Sequence, residues 1–476
     1  MALLLATCPA SAKVVLPRLF SDGMMLQRES SVNLWGSAEA GSLVKINASW
    51  SGAKTVSVRA GADGTWSAKL MTPMAGGPYE LKFSDGEATV VSDVMVGDVW
   101  LCSGQSNMEM PMEGFKAQPV DGATDELLEA HDDLLRLFTV KRNSAVVEAS
   151  DVVGQWSHAT PDAVRQFSAT AYFFGKSIRK ATGVPVGLIV CAWGGSSSEA
   201  WMKEDWLKAF PEARVPHSKE EVSSKNRNPT VLYKGMLAPI IGYGMRGVIW
   251  YQGEDNVPRY KSYAAMQEAM INGWRNEWGI GSFPFYFCQI APFDYSSIGW
   301  SVNSALLREQ QCLVERNVEN TGMAVLLDAG LRLGIHPRKK AEAGKRLALL
   351  ALKETYGVDG LPSTARYDHI EVTGDTVRVK FSNSRMWVYI DGEQASSNFE
   401  VAGDDHVFHP AMAWVERNVL MVRSADVANP VAVRYAFHNW VVGDLFCNGL
   451  PVSSFRSDDW DDSAVDTHAG QEYDVH

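Results

Sequence analysis

The sequence predicts an α/β protein: a central unit built on a parallel sheet, with a β-rich, sandwich-like unit on either side. Three observations predict it. Between residues 96 and 355, short continuous apolar runs alternate with amphipathic helical runs, as in parallel strands buried on both faces and joined by helices. Residues 13–95 hold short alternating runs broken by turn residues, the pattern of a small β-sandwich. Residues 356–476 return to a strand-rich pattern. A chain of 476 residues exceeds one simple core, which fits the division into units.

Taken in order, residues 1–12 are apolar and end in Ala10-Ser11-Ala12, a small-x-small cleavage pattern. They read as the end of a secretory signal peptide lacking its basic start, so the expected location is secreted or periplasmic. Leu5-Ala6-Thr7-Cys8 also loosely resembles a lipoprotein box. No other run is long and apolar enough to span a membrane. In the first β unit the clearest strands are 32–36, 43–46, 55–58 and 79–83, with turns at Ala62-Asp63-Gly64 and Ala75-Gly76-Gly77-Pro78. No titratable cluster lies here, so the unit reads as structural or as an aid to substrate binding.

The central unit opens with an apolar strand at 98–101. Residues 168–182 place Ala171, Phe174 and Ile178 on one helical face and stop at Gly183. Strands follow at 186–193, 247–250, 283–290 and 323–327, with helices at 262–278 and 305–316. His336-Pro337 opens a further helical segment to about residue 354, with Pro337 suited to the first helical position. The last unit has its clearest strands at 376–381, 419–422 and 431–437, and an acidic tail after Trp460 that is expected to fray.

Composition excludes some partners. With 46% hydrophobic and 21% charged residues the chain is an ordinary globular protein. A net charge of -12 argues against nucleic acid and anionic membranes. The 16 tryptophans could supply stacking faces for sugars, though core packing is the commoner role for any one of them. Apart from Cys8, the cysteines mostly sit in apolar strand-like runs and read as small core residues, not a disulfide framework. There is no CxxC pair and no HExxH, so no metal and no cofactor is expected. Nothing in the sequence speaks to oligomeric state.

The chemistry starts at Cys102-Ser103-Gly104-Gln105-Ser106-Asn107-Met108, which follows the strand at 98–101 and precedes a Met/Pro/Gly-rich passage. In open α/β sheets the ligand crevice lies at the carboxyl ends of the strands. A serine there needs a base for its proton and donors for the oxyanion. Gly195 and Gln252 also follow strands, and His336 precedes a helix on the same rim. A neutral imidazole can take the serine proton and later return it to the leaving alcohol. Backbone N–H groups at Ser106 and in the Gly194-Gly195 turn, with the Gln252 amide, can hold the oxyanion. Losing one such donor typically costs about 3 kcal/mol. Each motif alone also has a bland reading: a turn serine, a helix-capping His-Pro, a Gly/Ser loop.

Together the motifs are more specific. Gly104-Gln105-Ser106-Asn107-Met108-Glu109-Met110, Gly194-Gly195-Ser196-Ser197, Trp250-Tyr251-Gln252-Gly253-Glu254 and Ile335-His336-Pro337 resemble the sialate O-acetylesterase family, a branch of the SGNH-type hydrolases. Residues 19–28 look like that family's entry into its first β domain, and Gly449-Leu450-Pro451 with residues 454–460 like its ending. The resemblance implies a flavodoxin-like SGNH domain and a carbohydrate O-acetylesterase acting through an acetyl-serine. It implies Ser106 as nucleophile, His336 as base, and Ser106, Gly195 and Gln252 as oxyanion hole. Asn107 would orient the nucleophile loop or stabilise a turn. Glu254 would position substrate or histidine, or cap a helix. Gln105 and Arg332 are candidate substrate contacts, Arg332 for a sialate carboxylate.

One departure matters. The family carries an acid shortly before its Ile-His-Pro, but here Leu331, Leu333 and Gly334 offer none. His336 is then held by a backbone carbonyl, leaving a Ser-His dyad, or Asp328 or another acid such as Glu254 substitutes, or the enzyme is weakened or inactive. The expected substrate is an O-acetylated sialic acid. The alternatives are acetylxylan or another neutral glycan, a non-catalytic carbohydrate-binding protein on a decayed hydrolase scaffold, and a lipase-like esterase, which a missing apolar lid disfavours.

Overall fold

The computed structural model describes residues 13–382, 387–392 and 395–460. The apolar start with Cys8 and the cleavage pattern, and the acidic tail from residue 461, lie outside the described residues.

The first unit is formed by β1 (Met25–Gln27), β2 (Ser31–Ser37), β3 (Leu43–Ala48), β4 (Thr55–Arg59), β5 (Thr65–Met71) and β6 (Gly76–Ser84). Strand β2 pairs with β5, while β3 pairs with β4 and β6. Alternation buries Val32, Leu34, Trp66 and Leu70 from one sheet and Val44, Ile46, Leu81 and Phe83 from the other in a shared core. Gly76-Gly77-Pro78, expected to turn, instead begins β6, and the register shifts between Gly76 and Tyr79. A bulge absorbs the glycines and the proline where a turn was expected.

Strand β7 (Ala88–Gly104) carries the chain onward without a linker. Its first part pairs with β6 and β1, and Asp98 to Gly104 pair with the parallel strand β10. Then follow α1 (Ser106–Glu109), α2 (Ala123–Glu129), β8 (Asp132–Thr139), β9 (Trp156–Ala159), α3 (Pro161–Gln166), α4 (Ala169–Thr182), β10 (Val186–Ala192), α5 (Glu204–Leu207), β11 (Gly247–Tyr251), α6 (Tyr260–Trp278), β12 (Phe285–Cys288), α7 (Ser304–Asn317), β13 (Thr321–Ala324) and α8 (Lys340–Leu350).

The strand order is β13-β12-β11-β7-β10-β8-β9, parallel except at β9. The chain places β10 on one side of β7 and β11 on the other, so the order reverses at the carboxyl end of β7. That is the switch point where open α/β sheets bind ligands. Strand β8 had no expectation attached to it, because two aspartates and Arg136 interrupt its apolar pattern. Arg136 is buried and answered by Asp93 and His158.

Helix α4 starts with the Ser168 hydroxyl accepting from the Ala171 N–H at 3.0 Å and ends at Gly183 in the left-handed conformation. Its buried face packs against the sheet and against α8. Helix α8 begins at Lys340, not at Pro337. The correction is physical: 331–339 form turns that are tied to neighbouring loops by tertiary hydrogen bonds, which an α-helix starting at Pro337 would have to break.

After residue 365 come three antiparallel sheets. Arg366–Thr373, Thr376–Ser382, Val419–Arg423 and Met412–Glu416 form one; Phe408–Pro410, Phe399–Ala402, Ala432–Tyr435 and Phe455–Arg456 another; Val388–Ile390, Leu445–Cys447 and Leu450–Pro451 the third. Paired charges fasten them to α7 and the adjoining strand: Glu309 with Arg456 at 2.8 Å, and Glu315 with Arg366. Buried Arg308 donates to the His438 carbonyl at 2.8 Å.

Candidate active site

Gly104 ends β7 with φ +134°, and a Cβ there would lie 2.1 Å from the Tyr251 carbonyl oxygen, so only glycine lets β7 close on β11. The Gln105 N–H donates to that carbonyl at 2.9 Å, the chain turns, and α1 begins at Ser106. Ser106 thus sits at the carboxyl end of the central strand and is 8% exposed. The Gln105 side chain is buried and Oε1 accepts from the Gly253 N–H at 3.2 Å, tying the end of β7 to the loop after β11. Among the described residues its Nε2 donates to no protein acceptor.

The Gly194-Gly195 turn after β10 lies directly against the serine. A Cβ on Gly194 would stand 3.2 Å from Ser106 Cβ. The Gly194 N–H donates to Glu109 Oε2 at 2.7 Å, and Arg142 holds the same carboxylate through two hydrogen bonds. Gly195 follows with φ +65°. Among the described residues, the backbone N–H groups of Ser106 and Gly195 donate to no protein acceptor. Both are therefore available to an oxyanion.

Gln252 is different. It is fully buried, Nε2 donates to the Ser196 carbonyl at 3.1 Å and to Asn256 Oδ1 at 2.7 Å, and Oε1 accepts from the Tyr263 hydroxyl at 3.0 Å. Both amide hydrogens are used inside the fold. The expected third oxyanion donor is a brace for the Ser196 and Asn256 loops.

Asn107 joins the Ser106 loop to the histidine loop. Nδ2 donates to Glu254 Oε1 at 2.5 Å and to the Ile335 carbonyl at 3.1 Å, while Oδ1 accepts from Lys340 Nζ. Asn107, Glu254 and Lys340 are all buried. Burial raises the Glu254 carboxyl and lowers the Lys340 amine to about 7. Among the described residues no hydrogen bond joins Glu254 to His336, and the Glu254 carboxylate also accepts from its own backbone N–H at the start of the short helix Glu254–Arg259. It braces the serine loop through Asn107.

His336 stands on the same rim with its Nδ1 2.5 Å from Gln118 Oε1, and the Phe115 ring lies edge-on at 5.1 Å. Burial, with the Lys340 charge second, lowers its pKa to about 4, so the imidazole is neutral at ordinary pH. Among the described residues no hydrogen bond joins Ser106 Oγ to His336. The two loops converge through Asn107. Asp328 is excluded as the missing acid, because both of its oxygens accept from Arg346, at 2.6 and 2.7 Å. Arg332 is exposed on the rim loop and pairs with Asp294 at 3.2 Å.

Gln118 and Lys340 had no expectation attached to them. Gln118 carries no motif and lies 218 positions from His336. Lys340 looked like one more helical lysine. A cavity of about 680 Å³ between the central unit and the last β unit is lined by Cys312, Arg346, Arg366 and Arg456, not by Ser106 or His336. Arg346, Arg366 and Arg456 are paired with Asp328, Glu315 and Glu309.

The chain is similar to known carbohydrate esterases. The family model described as carbohydrate esterase, sialic acid-specific acetylesterase matches residues 96–353. The sialate O-acetylesterase of Homo sapiens is 31% identical over 382 residues, covering 72% of this chain and 71% of that protein. The sialate O-acetylesterase of Rattus norvegicus is 30% identical over 502 residues, covering 88% of each. The crystal structure of a carbohydrate acetylesterase from Xanthomonas citri superimposes with a TM-score of 0.86 at 36% identity, covering 94% of this chain and 100% of that one.

Proposed function

The chain belongs to the sialic acid-specific acetylesterase family of carbohydrate esterases, and on that premise we propose that it releases acetate from O-acetylated sialic acid through an acetyl-Ser106 intermediate. It is a carbohydrate O-acetylesterase. The serine route and the sialate substrate are our reading.

In that reading Ser106 Oγ attacks the acetyl carbonyl carbon while His336 Nε2 takes the hydroxyl proton. The Ser106 and Gly195 N–H groups receive the developing oxyanion. The tetrahedral adduct collapses, the bond to the sugar oxygen breaks, and His336 returns its proton to that oxygen. Water then attacks the acetyl-serine with His336 again as base, and acetate leaves with Ser106 restored. The observation that carries this reading is the tie from Asn107 to Ile335, which brings the serine and histidine loops to one switch point where two N–H donors are unused.

Arg332 is the rim group that suits a sialate carboxylate, but its pairing with Asp294 favours a second substrate reading, an acetylated neutral glycan such as xylan. The test measures acetate release from O-acetylated sialic acid and acetylated xylan side by side, with wild type, Ser106→Ala and Arg332→Ala. We expect Ser106→Ala to abolish turnover and Arg332→Ala to raise KM for the sialate alone. Turnover by Ser106→Ala would remove the serine from the mechanism. A preference for xylan would move the substrate to the neutral glycan. No release by folded wild type that still binds glycan would mean a non-catalytic scaffold.

A further inference from the structure

His336 lacks the carboxylate partner that a serine triad uses, yet its ring is not loose. The residue two positions before it is Gly334, and none of 331–335 is acidic. Asp328 is taken by Arg346, and Glu254 Oε1 accepts from Asn107, with no hydrogen bond from Glu254 to His336 among the described residues. What meets Nδ1 is the side-chain carbonyl of Gln118, at 2.5 Å.

The local chain is built to present that carbonyl. Phe115 and Gln118 exchange backbone hydrogen bonds at 3.0 and 2.9 Å, closing a tight turn. Gly114 precedes it with φ +83° and no room for a Cβ, which would lie 2.3 Å from the Gln118 carbonyl oxygen. The turn is pinned on the histidine loop by the Asp121 N–H, which donates to the Arg338 carbonyl at 3.0 Å, and by an Asp121–Arg338 ion pair at 3.1 Å. One turn thus supplies both the Phe115 edge and the Gln118 amide to the imidazole.

We propose that Gln118 is the positioning residue that stands in for the triad acid, holding His336 as the Nδ1–H tautomer through a neutral amide. This rests on Ser106 and His336 being the reacting pair. An amide oxygen can only accept, so Nδ1 carries the proton and Nε2 keeps the lone pair a general base needs. A triad carboxylate does the same and also stabilises the imidazolium. Gln118 supplies the orientation without the charge. The charged groups around the ring do not replace it: Lys340 from α8 disfavours the imidazolium, Glu254 reaches the site only through Asn107, and Asp121 and Arg338 answer each other. The low pKa of His336 agrees with a partner that carries no charge.

The test compares Gln118→Ala and Gln118→Glu with wild type and Ser106→Ala, reading kcat, KM and the pH profile of acetate release. Gln118→Ala should lower kcat on the order of a hundredfold or more with KM little changed, since a triad whose base loses its orientation falls by up to about ten-thousandfold. Gln118→Glu is nearly isosteric. It should keep kcat within about tenfold of wild type and move the acidic limb up by about one pH unit or more, as a carboxylate at hydrogen-bond distance does. A merely structural role for Gln118 would not move that limb. An unchanged kcat in Gln118→Ala, or an unmoved limb in a folded Gln118→Glu, overturns the inference. If Ser106→Ala is dead and the Gln118 variants behave as wild type, only the role of Gln118 fails. If Ser106→Ala turns over, the reading beneath it fails.

Discussion

The Asn107 side chain donates to the main-chain carbonyl of Ile335 at 3.1 Å, so the residue after the serine holds the residue before the histidine. The same amide lies between Glu254 and Lys340. One buried side chain therefore joins the two loops to which we assign the chemistry, and also lies between a buried acid and a buried base.

Replacing Asn107 should damage both fold and rate. Asn107→Ala leaves the Glu254 carboxyl, the Lys340 amine and the Ile335 carbonyl short of partners in the interior. Unsatisfied buried polar groups cost about 1–3 kcal/mol each, and more when charged. We expect a clear fall in melting temperature by calorimetry. On protein still folded at low temperature, kcat should fall much more than KM rises. A variant with wild-type kcat would separate the loop tie from catalysis.

The acidic side of the pH profile follows from His336. Its pKa lies at about 4, against an ordinary 6.5. The base is active when neutral, so kcat/KM should hold its plateau through pH 6 and fall only as pH approaches 4. Lowering this pKa also has a stability sign. Between 6.5 and 4 the unfolded chain binds the proton that the folded chain refuses, so this contribution is present above pH 6.5 and is lost as pH falls towards 4. Lys340→Met removes the nearby ammonium and should move the kinetic limb upward, though burial keeps it below 6.5. A limb at 6.5 in the wild type would contradict the buried, positively flanked imidazole.

Gln252 should behave as a brace. Gln252→Ala strands the Ser196 carbonyl and takes one of two partners from Asn256 Oδ1, which keeps the Ser198 N–H, and from the Tyr263 hydroxyl, which keeps the residue 252 carbonyl. The expected loss is about 1–3 kcal/mol of stability, read as a drop in melting temperature. Rate per folded molecule should fall less than tenfold, whereas removing a true oxyanion donor costs roughly a hundredfold to a thousandfold. A hundredfold loss in fully folded protein would return Gln252 to the oxyanion hole.

Much of the frame was legible from local pattern. The buried runs that became β7, β10 and β11 stand out because a strand covered on both faces must be apolar throughout. Strand β8 escaped because Arg136 sits inside it, and its charge is tolerable only beside Asp93, which belongs to β7. The start of α8 was placed too early for a similar reason. Pro337 suits a first helical turn, but 331–339 answer to other loops, with the Asp121 N–H bonded to the Arg338 carbonyl.

By itself the sequence determined that Ser106 and Gly195 would follow the carboxyl ends of β7 and β10, because strand boundaries follow from the order of apolar, small and turn-forming residues. Only the tertiary structure decided what each polar side chain does there. Gln252 is chemically able to meet a substrate, yet the fold spends both of its amide hydrogens on neighbouring loops. Gln118 bears no mark of function, yet the turn at 115–118 sets its carbonyl on His336. A hydrogen bond depends on distance and direction between groups far apart in the chain, and neither is encoded in spacing.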